Sequence, residues 1–165
     1  MAQRRTRPDK VSAAHMARAI EIALEGVRSN QGGPFGAVVV KGGTIIGEGC
    51  NSVLATNDPT AHAEIVAIRA ASAHLGSFQL RGCELWTTCE PCPMCLAAAY
   101  WARIDKVHYA CASADAARAG FDDRVVYEEL ARAHGERTLP MAQIMRDEAL
   151  GTFQAWLDKA DRIAY

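Results

Sequence analysis

The sequence predicts an α/β fold, because strand and helix patterns alternate along the second half of the chain. Cys83 to Thr88 has the composition of a strand, Pro91 to Arg103 that of a helix, and Lys106 to Cys111 that of another strand. This order implies parallel strands joined by a right-handed crossover. Half of the 165 residues are hydrophobic, which suits one domain with a sizeable core. We therefore expect a single α/β domain over residues 1–165.

The first half of the chain begins with a predicted helix and a predicted hairpin. Apolar residues recur at helical spacing between Val11 and Arg28, which indicates an amphipathic helix. Phe35 to Lys41 is rich in β-branched residues, and a second strand pattern starts at Ile45. The two glycines between these strands supply turn chemistry, so the strands should form a β-hairpin.

A second helix is predicted from Thr60 to Leu75. Asp58 can cap its N-terminus, and Pro59 suits the first helical position, whose amide hydrogen needs no partner. His62 and Glu64 are therefore expected near the start of this helix.

Three further elements are predicted after Cys111: a helix over Asp122 to His134, a strand over Met141 to Met145 and a helix over Thr152 to Arg162. The last helix carries an apolar stripe that must be buried against other protein. The stripe consists of Phe153, Trp156, Leu157, Ala160 and Ile163. We therefore expect the C-terminal segment, residues 146–165, to dock rather than fray.

Charge and hydropathy argue against several classes of partner. Lys and Arg total 18 and Asp and Glu total 19, giving a formal net charge of -1, so a nucleic-acid partner is not expected. No segment approaches the roughly 20 apolar residues of a membrane span, and no apolar run follows the charged start. We expect a cytoplasmic protein with no membrane partner. Residues 1–9 should form a disordered tail, although Arg4, Arg5 and Arg7 could alternatively form an RNA-binding arm.

The cysteines suggest metal binding rather than disulfides. Cys89, Cys92 and Cys95 fall within seven positions of a chain without an export signal. Cys92 and Cys95 should share one face of the first turn of a helix that starts at proline, near the positive end of the helix dipole. That environment favours thiolates. Taken alone, the pair equally fits a redox dithiol, half of a structural zinc site or two core cysteines.

His62-Ala63-Glu64 changes the balance between those alternatives. A histidine at a helix start can supply a third ligand, while the glutamate two positions later stays near the metal without binding it. Three ligands leave one position open for water, as in a catalytic zinc site, whereas a structural site closes with four. We therefore predict one zinc per chain, held by His62, Cys92 and Cys95, with Glu64 moving the protons.

Cys89 leaves a second arrangement open, because it could provide a fourth thiolate and make the site structural. It precedes Glu90-Pro91, which places it on the loop between strand and helix rather than on the helix face of Cys92 and Cys95. The three-ligand site is therefore the preferred interpretation, and a non-enzymatic zinc domain is the least favoured one.

The residues His62-Ala63-Glu64 and Pro91-Cys92-Pro93-Met94-Cys95 match the His-x-Glu and Pro-Cys-x-x-Cys signature of zinc nucleobase deaminases. The chain resembles the cytidine deaminase-like superfamily from its first helix to its last. This resemblance implies a three-layer α/β/α sandwich with a central five-stranded mixed sheet. It also implies that the glutamate takes a proton from water, passes it to a ring nitrogen and later protonates the departing ammonia.

Stretches outside this signature resemble the small microbial guanine deaminases. These stretches are Gly33 to Ala37, Asn57 to Ala61, Ala119 to Asp123, and Phe153 to Trp156 ahead of Tyr165. The first two are shared with transfer-RNA adenosine deaminases, so the later ones discriminate. The resemblance implies hydrolysis of guanine to xanthine and ammonia in purine catabolism, with Phe35 stacking on the base. Asn51, Asp123 and Tyr165 are the positions that would bind its polar edges.

The same resemblance implies a homodimer in which the C-terminal segment crosses to the partner subunit, where Tyr165 closes the partner's pocket. Simpler roles stay open for the other three residues. Asn51 could hold a turn, Asp123 could cap a helix and Phe35 could be ordinary core. Glu128 and Glu129 are interpreted as a solvated helix face rather than as part of the site.

Two other deaminases are the main alternatives. A transfer-RNA adenosine deaminase would need a basic face to hold an anticodon loop, and the only basic cluster is at the start of the chain. A cytosine or cytidine deaminase would use the same zinc chemistry in a pocket of different shape.

Overall fold

The computed structural model describes residues 10–164, with side chains from residue 13 onward. Its helices are α1 (Lys10–Arg28), α2 (Val53–Thr56), α3 (Ala63–Leu75), α4 (Pro93–Trp101), α5 (Ser113–Arg118), α6 (Arg124–Ala131) and α7 (Arg146–Asp158), with a 3-10 turn at His134–Glu136. Its strands are β1 (Gly36–Lys41), β2 (Thr44–Cys50), β3 (Cys83–Cys89) and β4 (Lys106–Cys111). The chain divides into two compact units, the first ending at Asp123 and the second beginning at Arg124. The disordered tail expected over residues 1–9 lies outside the described residues.

The sheet is mixed, with the strand order β2-β1-β3-β4. β1 is antiparallel to β2 and to β3, whereas β3 is parallel to β4. The hairpin predicted from the sequence is confirmed, because Lys41 pairs with Thr44 and both intervening glycines have positive φ. The parallel pair predicted around the α4 crossover is also confirmed.

The expected fifth strand is absent from the sheet that the described residues form. Met141 to Met145 was predicted as that strand but makes no ladder. Met141 is 60% exposed and Ile144 79% exposed, so the segment lacks the burial that stabilises a strand. Helix α7 then begins at Arg146, six residues before the predicted start. A short apolar run followed by a helix does not by itself distinguish a strand from an extended connection.

Helix α3 begins three residues later than predicted. Asp58 does not cap it, because its Oδ1 accepts hydrogen bonds from the backbone N–H and the hydroxyl of Thr60, at 2.8 and 2.7 Å. This turn over residues 58–60 is completed by a hydrogen bond from the Ala61 N–H to the Asp58 carbonyl. His62 therefore occupies the N-cap position, with extended backbone angles.

Within the first unit, helices cover both faces of the sheet and make three layers. The face under α1 contains the cluster Ala19, Ile22, Val38, Val40 and Trp86. The face under α3 and α4 contains a larger cluster that includes Ala37, Val39, Ala67, Ala71, Leu80, Leu85 and Ala99. Alternate residues of β1 thus point into different clusters, as a central strand requires.

Two glycines of β2 let helix α3 lie directly against the sheet. A Cβ at Gly47 would lie 2.5 Å from the carbonyl oxygen of Ala67, and a Cβ at Gly49 would lie 2.4 Å from that of Ala63. No side chain fits at either position without moving the helix. The start of α3, with His62 and Glu64, is consequently held close to the sheet.

The second unit contains α6, the 3-10 turn and α7. Its apolar side chains are largely exposed, and no residue of α6 or α7 is buried. The exposed set on and after α7 is Leu150, Phe153, Trp156, Leu157 and Ile163. Among the helices of residues 10–164, none is long and apolar enough to cross a membrane.

Candidate metal centre

Three potential metal ligands converge from the starts of two helices. His62 is the N-cap of α3, Cys92 is the N-cap of α4, and Cys95 lies in the first turn of α4 after Pro93 at the first helical position. The His62 Nδ1 lies 3.6 Å from the Cys92 Sγ and 3.5 Å from the Cys95 Sγ. The donor atoms of the three side chains all lie within 4.8 Å of one another.

This donor set fits a tetrahedral zinc ion. Zn–S bonds of about 2.3 Å and Zn–N bonds of about 2.0 Å at the tetrahedral angle place sulfur and nitrogen ligands roughly 3.6 Å apart. The separations from His62 to Cys92 and Cys95 match that value. Three donors leave a fourth position for water or substrate, which is the composition of a catalytic zinc site.

Hydrogen bonding already favours one thiolate in this group. The hydrogen bond from Cys95 lowers the pKa of Cys92 to about 4, and His62 contributes to the same shift. The proton shared with Cys92 raises the pKa of Cys95. The hydrogen bond with Cys92 also raises the pKa of His62. Cys92 is therefore the more acidic thiol, and a cation that displaces the shared proton would meet a negatively charged ligand.

Glu64 is buried beside the ligand group. Its Oε1 accepts a hydrogen bond from the Thr87 hydroxyl at 3.2 Å, and its Oε2 accepts one from the Cys95 thiol at 3.5 Å. Burial raises the pKa of Glu64 above its usual range. A carboxylate with a raised pKa accepts a proton from an activated water more readily than an exposed one does. Thr87 was not singled out from the sequence, although a polar residue in a buried strand is a usable signal.

Cys89 lies apart from this ligand group. It is the last residue of β3, and its thiol donates a hydrogen bond to the carbonyl of Ala112 at 3.7 Å. Burial raises the pKa of Cys89 to about 11. Its sulfur is not among the donor atoms that lie within 4.8 Å of one another, so the geometry supports three protein ligands rather than four.

Asn51 holds a turn at the edge of the sheet. It is 6% exposed, and its Oδ1 accepts hydrogen bonds from the backbone N–H groups of Gly33 at 3.1 Å and Val53 at 3.4 Å. The simpler role expected for this residue is therefore present. Within residues 10–164 the amide nitrogen of Asn51 donates to no neighbour, which leaves it available to a ligand.

Phe35 belongs to the larger core cluster and also to an aromatic pair. It packs against the cluster under α3 and α4, and its carbonyl accepts a hydrogen bond from the Asn51 N–H at 3.0 Å. Its ring lies 5.0 Å from the ring of Phe121 in an edge-to-face arrangement, with 84° between the planes. Phe121 was not among the residues that the sequence identified.

Asp123 interacts electrostatically with Cys92 of the ligand group. It is half-buried, and burial raises its pKa, with additional repulsion from Cys92 and Glu90. Gly120 turns the chain after α5 with φ of 94°. Phe121 and Asp123 lie directly after this turn. Helix α6 begins at the next residue, which keeps the helix-start role open for Asp123.

Three other residues were considered in the sequence analysis: Tyr165, Glu128 and Glu129. Tyr165 lies outside the described residues. Glu128 lies on α6 with its Oε1 3.8 Å from the Nε of Arg124. Glu129 forms an ion pair with Arg132 at 2.8 Å and accepts a hydrogen bond from the Thr138 N–H at 2.7 Å. Both glutamates thus have polar partners within the second unit.

Comparisons with known proteins agree with this site. Residues 9–111 match the family described as "Cytidine and deoxycytidylate deaminase zinc-binding region". The chain is 54% identical over 148 residues to a guanine deaminase of Bacillus subtilis (strain 168), covering 90% of this chain and 95% of that protein. An X-ray structure of guanine deaminase from Bacillus subtilis superposes with a TM-score of 0.90 at 52% identity, covering 93% of this chain and 98% of the other.

A transfer-RNA-specific adenosine deaminase of Aquifex aeolicus (strain VF5) is also similar, but over a shorter stretch. It is 51% identical over 74 residues, which cover 45% of this chain and 49% of that protein.

Proposed function

The chain belongs to the cytidine and deoxycytidylate deaminase family, and from this premise we propose that it is a guanine deaminase. It hydrolyses guanine to xanthine and ammonia and uses one zinc ion per chain. The observation that carries the proposal is the 54% identity to the Bacillus subtilis guanine deaminase across 90% of the chain. The donor set of His62, Cys92 and Cys95 beside a buried glutamate supports the same hydrolytic chemistry.

The proposed reaction depends on proton transfers by Glu64. When bound, zinc supplies Lewis acidity that lowers the pKa of water to about 7. Glu64 Oε2 takes the proton of the attacking water and delivers it to the ring nitrogen N3 beside C2 of guanine. The same oxygen then moves the remaining proton of that water, now on the hydroxyl at C2, to the amine; the C2–N bond breaks, a carbonyl forms at C2 and ammonia leaves. The Thr87 hydroxyl stays on Oε1 and keeps Oε2 aimed at the reacting atoms.

Recognition of guanine requires partners for both its polar edges and its ring face. We assign the free amide N–H groups of Asn51 to an acceptor on the base, and the carboxylate of Asp123 to a ring N–H donor. The ring of Phe35 stacks on the base. A base that lacked these polar groups would leave Asn51 and Asp123 unpaired in a confined pocket, which is a strong source of discrimination.

The active form is proposed to be a homodimer, with the C-terminal segment swapped onto the partner subunit. The support is the apolar set around Phe153, Trp156 and Leu157, which stays exposed within a single chain. Tyr165 would then close the partner's pocket, so residues 1–165 would act as one catalytic domain that a second copy completes. The free state of all six thiols is in keeping with a cytoplasmic location.

The proposal is tested with a substrate panel. Purified zinc-loaded protein is mixed with guanine, adenine, cytosine, guanosine or cytidine, and the change in ultraviolet absorbance is followed for each. A transcribed transfer RNA is assayed in parallel for inosine. The Glu64→Gln variant, purified identically, controls for contaminating deaminases. We expect turnover of guanine to exceed that of every other compound, whereas turnover of only a pyrimidine or only the RNA would overturn the assignment.

A further inference from the structure

Two phenylalanines from distant parts of the first unit form one aromatic corner. Phe35 immediately precedes β1, and Phe121 follows the turn at Gly120. Their rings meet edge to face at 5.0 Å. Continuing the β1–β3 register from Ala37 opposite Thr87 places Phe35 level with Cys89, two residues along β3 from Thr87, which holds Glu64.

A glycine loop is packed tightly against both rings. A Cβ at Gly33 would lie 3.1 Å from the ring of Phe35 and 3.2 Å from the ring of Phe121. The N–H of Gly33 is in turn held by the Oδ1 of Asn51 at 3.1 Å. The loop, the two rings and the Asn51 side chain therefore form a single packed unit, with little room for the rings to rotate.

The two rings differ in exposure, which indicates that they have different roles. Phe35 is partly buried and packs against the core, whereas Phe121 is 44% exposed. An aromatic side chain that is 44% exposed adds less to the core than a buried one. Its contact does restrict the plane of the ring that it touches.

We propose that Phe121 is a positioning residue for substrate, which holds the ring of Phe35 in the plane that stacks on the base. This inference rests on the proposed function, because it requires Phe35 to be the stacking surface. Phe121 acts through Phe35 and needs no contact with the reacting atoms. Without Phe121, the Phe35 ring would sample other orientations, and the base would bind more weakly before any change in proton transfer.

The expected effect is on substrate binding. An edge-to-face pair corresponds to an affinity change of about 2-fold to 12-fold. We expect Phe121→Ala to raise KM for guanine within that range while kcat changes less than about 2-fold. Phe121→Tyr keeps the ring edge and has solvent for its hydroxyl, so it should stay near the wild-type KM, whereas Phe121→Leu should resemble Phe121→Ala.

A double-mutant cycle distinguishes positioning from a general structural role. KM, kcat, zinc content and Tm are measured for the wild type, Phe35→Ala, Phe121→Ala and the double variant. If Phe121 acts through Phe35, adding Phe121→Ala to Phe35→Ala should leave KM unchanged within about 1.5-fold. Equal increases in KM in both backgrounds, or no increase in either, would overturn the proposal. A fall in Tm together with a rise in KM in every Phe121 variant, including Phe121→Tyr, would also overturn it.

The same experiment separates this proposal from the assignment of guanine as substrate. The cycle is run with whichever compound of the substrate panel the wild type turns over best. If that compound is not guanine, the proposed function fails while the coupling between Phe35 and Phe121 is still measured. If it is guanine and the two variants act independently, the function stands and the positioning role fails.

Discussion

The hydroxyl of Thr87 donates a hydrogen bond to Oε1 of Glu64 over 3.2 Å, and both residues are buried. Thr87 lies on β3, Glu64 lies in the first turn of α3, and the Cys95 thiol that reaches the other carboxylate oxygen comes from α4. One carboxylate thus joins three elements of the first unit. Its orientation is set by the sheet and not only by its own helix.

Removing the Thr87 hydroxyl should slow turnover without removing zinc. We expect Thr87→Val to lower kcat about 10-fold, because a buried carboxylate loses a hydrogen bond that holds its ionised form. The lost bond should also raise the pKa of Glu64, so the acidic limb of the pH profile of kcat/KM should move to higher pH. Steady-state kinetics across pH, with zinc content measured on each sample, provides the check.

The neighbouring Thr88 offers a matched control. Its hydroxyl oxygen accepts a hydrogen bond from the Gly36 N–H at 3.1 Å, on the opposite face of the strand. Thr88→Val should therefore lower Tm without moving the acidic limb. Similar pH profiles for the two variants would contradict an orienting role for Thr87.

Glu64→Gln should keep one zinc per chain and lose about 10²-fold to 10⁴-fold in kcat. The amide retains the size of the side chain but cannot carry the proton. Activity assays together with metal analysis of the purified variant separate the two properties. Loss of zinc would instead identify Glu64 as a ligand.

Zinc binding and activity should depend on the three converging ligands and not on the remaining cysteines. Cys95→Ala should purify with little zinc and no activity, whereas Cys89→Ala should keep one zinc per chain because its thiol is bonded to a backbone carbonyl. Chelation of the wild type should abolish activity, and added zinc should restore it. If Cys89→Ala purified without zinc, Cys89 would be identified as a fourth ligand.

Complementation between two inactive chains tests the swapped C-terminal segment. Deleting Tyr165 should greatly reduce turnover with zinc content and Tm intact, and Glu64→Gln should be nearly inactive for a different reason, because it cannot carry the proton. After the two are denatured together and refolded, mixed dimers contain one site with both Glu64 and the partner's Tyr165, so activity should reappear. Full activity of the truncated chain alone would contradict the proposed swap. Mixtures that stay inactive would show that each site is built from one chain.

His108 should titrate below its usual range and should make stability pH-dependent. Its ring stacks on Trp86 at 3.7 Å, and its Nε2 lies 2.9 Å from Glu84. Burial lowers the pKa of His108, the contact with Glu84 opposes this shift, and Lys106 and His15 add to it. The folded-state pKa is thus below the unfolded value of about 6.5. The stabilisation is therefore complete above that pH and is lost as the pH falls through the folded value.

Two measurements check the behaviour of His108. The proton chemical shift of its ring, followed by NMR, should give a pKa below 6.5, and denaturation midpoints should fall as the pH drops through this range. His108→Gln removes the titration and should weaken that dependence. A pKa of the His108 ring at or above that of a free histidine would contradict the prediction.

Of the candidate metal ligands, Cys92 and Cys95 could be paired from their spacing on one helix turn, whereas His62, 30 positions from Cys92, was joined to them by the His-x-Glu and Pro-Cys-x-x-Cys signature. A histidine at one helix start and a Cys-x-x-Cys pair after proline at another already place three donors on two helix ends. The contacts of Glu64 with Thr87 and of Phe35 with Phe121 join residues 23 and 86 positions apart, and no periodicity encodes them. The prediction of a fifth strand was wrong because strand formation also depends on non-local pairing. Met141 to Met145 has a strand-like composition but no partner strand among the described residues.

The contact between α3 and β2 limits where this protein can be redesigned. At Gly47 and Gly49 the helix backbone occupies the space of a side chain, so Glu64, the proposed proton carrier, cannot be shifted by mutating the sheet beneath it without displacing the helix. Phe121 has no such restriction, because its side chain is 44% exposed. New substrate preferences should therefore be sought by varying the residues around Phe121, with the proposed reacting centre left as a constant part of the scaffold.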